Sequence, residues 1–272
     1  MKNLILLLVL LCVINTSADA ENMQAYFADF INPATLEEIN SSTAGLTIPS
    51  EYSGCNFKPP NVIFTALFTS GFAYRNEVLH GLSWENTDIT LYSISEGPCA
   101  IGNFIGSELG ISNLESLAYC QDNDTFYSAD FDYANHVGQL VSIDPLAQSP
   151  SLIGSHMAFD IRITGMVCDA SGQLWAVTPG HGGRNSELLK INRSTGSETV
   201  IGATGIANNV VEALAIDRDK PNDVMYINGN GLYEVNKNTG NATFIGGTFN
   251  KIYAMAGLPR SDLIFENGFE IQ

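Results

Sequence analysis

A short pattern, Leu-x-x-Ile/Val followed by a polar residue, recurs five times and constrains the fold more than any other feature of the chain. It reads Leu36-Glu37-Glu38-Ile39-Asn40, Leu91-Tyr92-Ser93-Ile94-Ser95, Leu140-Val141-Ser142-Ile143-Asp144, Leu188-Leu189-Lys190-Ile191-Asn192 and Leu232-Tyr233-Glu234-Val235-Asn236. A further Ile follows each copy: Ile48, Ile105, Ile153, Ile201 and Ile245, spaced by 57, 48, 48 and 44 residues. The last four are followed by glycine (Gly106, Gly154, Gly202, Gly246). Between the two apolar runs lies a turn, plainest in Asn192-Arg193-Ser194-Thr195-Gly196 and Asn236-Lys237-Asn238-Thr239-Gly240. Asn, Ser and Gly supply the side-chain hydrogen bonds and positive φ of a tight hairpin.

Ahead of each hairpin comes a second pair of short runs. Its first member aligns as Gly71-Phe72-Ala73-Tyr74, Ser116-Leu117-Ala118-Tyr119, Gly165-Met166-Val167-Cys168, Ala213-Leu214-Ala215-Ile216 and Ala254-Met255-Ala256-Gly257. Small residues recur in it, as an innermost strand near a crowded axis requires. Its second member is seen in Phe126-Tyr127, Leu174 to Val177, Val224 to Tyr226 and Leu263 to Phe265. Four short antiparallel strands per repeat, here a to d, describe a β-propeller blade. A β-sandwich also has regular short strands, but it does not need one four-strand unit repeated. Between Pro33 and Glu38 a short helix competes with the strand reading.

The two ends complete one another. The C-terminus offers strand a at Ala254 to Ala256 and strand b at 262–268, and the N-terminus offers c and d at Leu36 to Asn40 and Leu46 to Ile48. The expectation is an all-β propeller of five four-stranded antiparallel blades, the closing one split between the termini, with no free edges left by an unclosed ring.

The first twenty residues read differently. One Lys precedes an apolar run from Leu4 to Ile14, and Ala18-Asp19-Ala20 follows. Those are the three parts of a secretory signal peptide, and the run is too short to span a bilayer. Cleavage is expected after Ala20, leaving a single domain over 21–272. Cys12 follows Leu11 inside the run, which does not suit a lipoprotein signal. Four cysteines remain (Cys55, Cys99, Cys120, Cys168), an even number that suggests disulfides in an exported chain. Cys120 and Cys168 fall one residue apart on aligned a strands, and a one-residue offset flips a side chain to the other face. That pairing is therefore not the expected one. There is no C-x-x-C pair for a zinc ribbon or a thioredoxin-type site.

With 29 acidic and 12 basic side chains, the 272-residue chain carries a formal charge of −17. A nucleic-acid face needs clustered Lys and Arg, and an anionic membrane surface is an equally poor partner. At 45% hydrophobic and 15% charged residues the chain is too apolar to be disordered.

The repeat resembles one common in secreted bacterial propeller proteins, roughly G-L-A-Y-D … L-Y-x-I-D/N-x-x-T-G-x-x-T-x-I-G. Its best copy here runs from Glu212-Ala213-Leu214-Ala215-Ile216-Asp217 through Leu232 to Gly246. The resemblance covers about residues 70–259. It implies the fold, and an exported protein whose task the repeat does not specify. The segment Ile264-Phe265-Glu266-Asn267-Gly268-Phe269-Glu270 is similar to a short tail on otherwise unrelated exported proteins of gammaproteobacteria, so 262–270 is either a blade strand or an appended tail.

Candidate chemistry gathers on one face. There is no G-x-S-x-G elbow, no H-E-x-x-H and no phosphate loop ending in Gly-Lys-Ser/Thr. Blade topology puts the b–c and d–a connections on one face of the ring and the a–b and c–d turns on the other. Two long b–c loops, Asp130 to Gly138 and Pro179 to Asn185, carry His136, His181 and Arg184, and a d–a connection carries His156 and Arg162. Glu115 and Glu212 share the aligned position just before strand a, at the mouth of the axial channel. The candidate ligand-binding set is Glu115, Glu212, His136, His156, His181 and Arg184. Asp130, Asp132 and Asn135 hint at a Ca²⁺ loop, but its twelfth position is Val141 rather than Glu. No cofactor or resident metal is otherwise indicated. The expected function is binding of a small molecule or protein by a monomer that is secreted or periplasmic. The alternative is a lactonase-like hydrolase or lyase at the channel mouth, with a His or Glu as general base.

Overall fold

Where both faces of a strand are covered, alternation gives way to continuous apolar runs. Leu174-Trp175-Ala176-Val177 and Leu214-Ala215-Ile216-Asp217 are buried at every position. The computed structural model describes residues 22–27, 35–40, 46–47, 69–76, 78–85, 88–94 and 103–104. From 109 to 257 it describes all but 110, 112, 159–160, 181–183, 208–210, 218–222 and 248–251.

In chain order the strands are β1 (Asn22–Phe27), β2 (Thr35–Asn40) and β3 (Leu46–Thr47). Blade I is β4 (Thr69–Arg75), β5 (Val78–Glu85), β6 (Asp88–Ile94) and β7 (Asn103–Phe104). Blade II is β8 (Ala118–Cys120), β9 (Thr125–Asp132), β10 (Val137–Ile143) and β11 (Pro150–Ile153). Blade III is β12 (Gly165–Cys168), β13 (Leu174–Val177), β14 (Asn185–Ile191) and β15 (Glu198–Ala207). Blade IV is β16 (Leu214–Asp217), β17 (Val224–Asn228), β18 (Leu232–Val235) and β19 (Ala242–Gly246). The last strand, β20 (Ile252–Gly257), joins the first three in a sheet of order β20-β1-β2-β3.

Among the described residues the strands form five four-stranded antiparallel sheets. Their inner strands β4, β8, β12, β16 and β20 neighbour one another in a closed cycle. The fold is a β-propeller, and the split sheet closes it. β4 and β12, which are not neighbours in the ring, also approach each other across the axis, so the central bore is narrow.

The closing sheet corrects one expectation. Its second strand is β1, not residues 262–268. β1 pairs with β2 from Asn22↔Asn40 to Phe27↔Thr35, and with β20 from Met23↔Gly257 to Phe27↔Ile252. The C-terminus contributes one strand and the N-terminus three. Residues 258–272 lie outside the described ones, and the sheet is four-stranded without them. Thr35–Asn40 is a strand rather than a short helix, because its backbone pairs with β1 along its whole length.

The core lies between blades, not within one. Leu117, Tyr119, Phe126, Val141 and Ile143 of blade II pack with Leu82, Ile89 and Leu91 of blade I. The other face of blade II, with Ala118, Cys120, Tyr127 and Leu140, packs on Met166, Cys168, Leu174 and Leu189 of blade III. Val167, Trp175 and Leu188 then meet Leu214, Met225 and Ile227 of blade IV. Equivalent residues therefore point the same way round the ring.

The glycine signature of the repeat has a mechanical reason. A Cβ added at Gly202, which follows Ile201, would stand 2.1 Å from the carbonyl oxygen of Thr239 in the turn of the next blade. In return, Gly240 of that turn lies against the backbone of Gly202 and has φ of +78°. Strand d of one blade thus receives the c–d turn of the next, and both glycines of the repeat sit at that contact. Gly202→Ala is expected to destabilise by about 1–3 kcal/mol, the usual range for overpacking a site that cannot open. Urea unfolding checks it, and an unchanged midpoint would show that the turn can yield.

Candidate functional site at the channel mouth

The b–c loop of blade II owes its shape to Asp132. Its Oδ1 accepts from the backbone N–H of Ala134 at 2.8 Å and of Asn135 at 3.1 Å, and Asn135 Nδ2 donates to its Oδ2 at 2.6 Å. These bonds to Asn135 and Ala134 hold the Asp132 carboxyl below its ordinary value. Both oxygens serve the turn, and Asp132 and Asn135 bond each other. His136 leaves the turn in the left-handed region, at φ of +55°.

The turn presents Tyr133, which is 49% exposed. Its ring meets Phe131 edge-on at 5.0 Å between centroids, and its hydroxyl donates to Glu115 Oε1. Glu115 is buried at the start of the inner strand of the same blade, with its N–H directed at the Ala129 carbonyl. Its other oxygen, Oε2, accepts from Arg162 Nε at 2.5 Å. Arg162 comes from the approach to blade III, and its guanidinium carbon stands 5.9 Å over the Tyr133 ring. Two blades thus meet in a Tyr133–Glu115–Arg162 cluster.

Electrostatics extend the cluster. Burial, then the bond to Glu115, push the Tyr133 hydroxyl up to about 12, and the charges of Glu115 and Glu212 add to this. Burial works against the charge of Arg162, but the bond to Glu115 and the fields of Glu115, Tyr133 and Glu212 outweigh it. Glu212 of blade IV therefore shares the site. Its backbone N–H and that of Ala213 both donate to Asn228 Oδ1, at 3.0 and 2.7 Å, which fixes the start of β16. Asp130 is close enough to feel the charge of Glu115. Burial, then Asp132 and Glu115, push its carboxyl up, and His156 opposes them. Its Oδ1 is buried without a hydrogen-bond partner.

Of the six candidates, Glu115 and Glu212 both act on Tyr133 and Arg162, and His156 acts on the carboxylates of Asp130 and Asp132. His136 closes the loop that carries Tyr133. Arg184 is exposed, and among the described residues its guanidinium meets no carboxylate. His181 lies outside the described residues. The fourth histidine, His80, is a core residue: it is 5% exposed, tilted on Phe126 at 5.0 Å, and its proton affinity is lowered by burial. Sequence reasoning did not select Tyr133 or Arg162. The signal for Arg162 was its place two residues before the Thr164 that aligns with Glu115 and Glu212.

Removing the cation isolates a buried charge. Arg162→Met should cost about 2–3 kcal/mol, the penalty of a largely buried carboxylate losing its partner. Adding Glu115→Gln should recover part of that loss. Equilibrium unfolding of both variants reads the difference, and a double variant less stable than Arg162→Met would show that the buried charge is not the cause.

No protein-family model matches the sequence, and no curated protein sequence matches it. One solved structure shares its fold, and others align less closely. A chain of a nidogen/laminin complex aligns over 87% of this chain and 97% of its own, with a TM-score of 0.50 and 10% identity. An exo-β-1,3-galactanase from Clostridium thermocellum aligns over 72% of this chain and 52% of its own, with a TM-score of 0.49 and 10% identity. A PQQ-bound aldose sugar dehydrogenase from Streptomyces coelicolor aligns over 80% and 76%, with a TM-score of 0.45 and 11% identity. At such identities the likeness is one of fold alone.

Proposed function

We propose that this propeller is an exported binding protein that takes its ligand, a small molecule or a segment of another protein, on the b–c and d–a face. One observation carries the reading: Tyr133, Glu115 and Arg162 converge at the channel mouth from two blades, within the field of Glu212 from a third. A rigid ring that holds an exposed aromatic, an acid and a cation together has the make-up of a binding mouth. Residues 1–20 act as the leader, and 21–272 form one monomeric domain. The Cys120–Cys168 disulfide suits an oxidising compartment. Among the described residues no helix is long and apolar enough to cross a membrane.

The hydrolase or lyase alternative is weaker at Glu115, because both its oxygens are engaged by Tyr133 and Arg162. Asp130 is the better-placed acid–base group, with a raised pKa and an unpartnered oxygen.

A thermal-shift screen of the mature protein tests the reading, with amines, carboxylates, phosphates and neutral sugars as probes. One class is expected to raise the midpoint, since a ligand at about 100 times its Kd adds roughly 2.7 kcal/mol. Tyr133→Phe and Glu212→Gln should weaken that response, and Arg193→Gln on the opposite face should not. No response to any class, or equal loss in all three variants, removes the mouth as the site.

A further inference from the structure

The b–c turn of blade IV reads Asn228-Gly229-Asn230-Gly231, with each Asn placed before a glycine. An Asn side chain in that position is open to attack by the next backbone nitrogen, because glycine has no Cβ to obstruct the approach. The fold treats the two pairs differently. Asn228 ends β17 and is 1% exposed, and its Oδ1 accepts from the N–H groups of Glu212 and Ala213 at 3.0 and 2.7 Å. Its amide can react only when those bonds open. Asn230 is exposed at the tip of the turn, between the paired residues Asn228 and Leu232. A third such pair, Asn267-Gly268, lies outside the described residues.

Two contacts single out Asn230. The Tyr233 hydroxyl donates to its Oδ1 at 2.6 Å. That oxygen takes the negative charge when the amide carbon is attacked, and a donor already aimed at it stabilises the charge as it forms. Gly231, which supplies the attacking nitrogen, cannot be exchanged for a larger residue. A Cβ there would stand 2.5 Å from Phe244 Cε2 and 2.9 Å from the carbonyl oxygens of Gly246 and Gly247. Packing of the turn on β19 therefore keeps the labile pair in place.

We propose that Asn230, polarised by Tyr233, is a self-modification site, where the side-chain amide is lost through a cyclic imide with Gly231 while Asn228 is preserved. The Gly231 nitrogen bonds to Asn230 Cγ, its proton passes to the departing amide nitrogen, and ammonia leaves. One water then opens the imide. Opening at the side-chain carbonyl leaves aspartate, and opening at the main-chain carbonyl leaves isoaspartate, with the main chain running through the side chain. Either product adds a carboxylate to the turn. The second also lengthens a turn that the Gly229 N–H closes on the Gly231 carbonyl at 2.8 Å. The inference is independent of the ligand at the mouth.

The test incubates the mature chain in mildly alkaline buffer, folded and in parallel unfolded in urea. Peptide mass mapping follows the change from amide to acid at each position. In the folded chain Asn230 should convert about tenfold or more faster than Asn228, since a group locked in structure reacts in proportion to its open population. In urea the two rates should converge. Tyr233→Phe, which keeps the ring against Phe244, should slow Asn230 severalfold. Equal folded rates at the two positions overturn the proposal, as does a preference for Asn230 that persists unchanged in urea. A Tyr233→Phe chain that converts as fast as the parent overturns it as well.

Discussion

A chain that starts at residue 34, and so lacks β1, is expected not to close its ring. β1 supplies the ladder on both of its edges, six paired positions to β2 and five to β20. Without it, β20 keeps its contacts with β4 and β16 but loses its sheet, and β2 and β3 are left as a detached hairpin. A two-stranded hairpin is marginal in water. Each backbone bond is worth about 1 kcal/mol net, and a domain has only about 5–15 kcal/mol in all. Loss of a doubly paired interior strand therefore takes most of the stability, and the product should be unfolded or aggregated by circular dichroism and size exclusion. A chain ending after Pro259 keeps all twenty of the described strands, and its urea midpoint should match that of the full mature chain. If the two truncations behaved the other way round, the closing strand would be the C-terminal segment after all.

That contrast shows what the sequence could say. Strands c and d were legible because a turn joins them locally, and Asn192 and Asn236 mark the turn with bonds to the next backbone N–H groups, at 2.9 Å to Ser194 and to Asn238. Strand b of the closing blade was not, since strands a and b come there from opposite ends of the chain and no local turn joins them. Asn22-Met23-Gln24-Ala25-Tyr26-Phe27 has little resemblance to Val224-Met225-Tyr226, whereas Leu263-Ile264-Phe265 has more. An apolar triplet matches any interior strand, and only the pairing decides which end supplies it. The same limit applies at the mouth. Glu115 and Glu212 emerged from alignment of the repeats, but the Arg162–Glu115 pair spans 47 residues and two blades. It exists only once the blades are set side by side.

The second large effect concerns the blade II–III junction, where Cys120 and Cys168 form a disulfide. Parity had argued against this pair, and the reason it failed is geometrical. The parity rule holds for strands within one sheet. Blades instead pack face to face, so the surfaces that meet are opposite faces of equivalent strands. Tyr119 and Cys168 are aligned and both point toward the preceding blade, whereas Cys120 points toward the following one. An odd offset is what brings two such cysteines together, and Cys55 and Cys99 lie outside the described residues. Both partners are buried, at 0% and 2% exposure, and a second tie lies beside them: Arg193 donates to both oxygens of Asp122, at 2.8 and 2.7 Å. That ion pair is largely exposed and should contribute no more than about 1 kcal/mol. The disulfide restrains a sequence separation of 48, for which loop-entropy reasoning gives about 4 kcal/mol. The double variant Cys120→Ala/Cys168→Ala is therefore expected to unfold at clearly lower urea than the oxidised parent, with a loss of about 3–5 kcal/mol. Arg193→Gln should change little by comparison. A double variant within about 1 kcal/mol of the parent would mean that packing between blades II and III, rather than the cross-link, holds that junction.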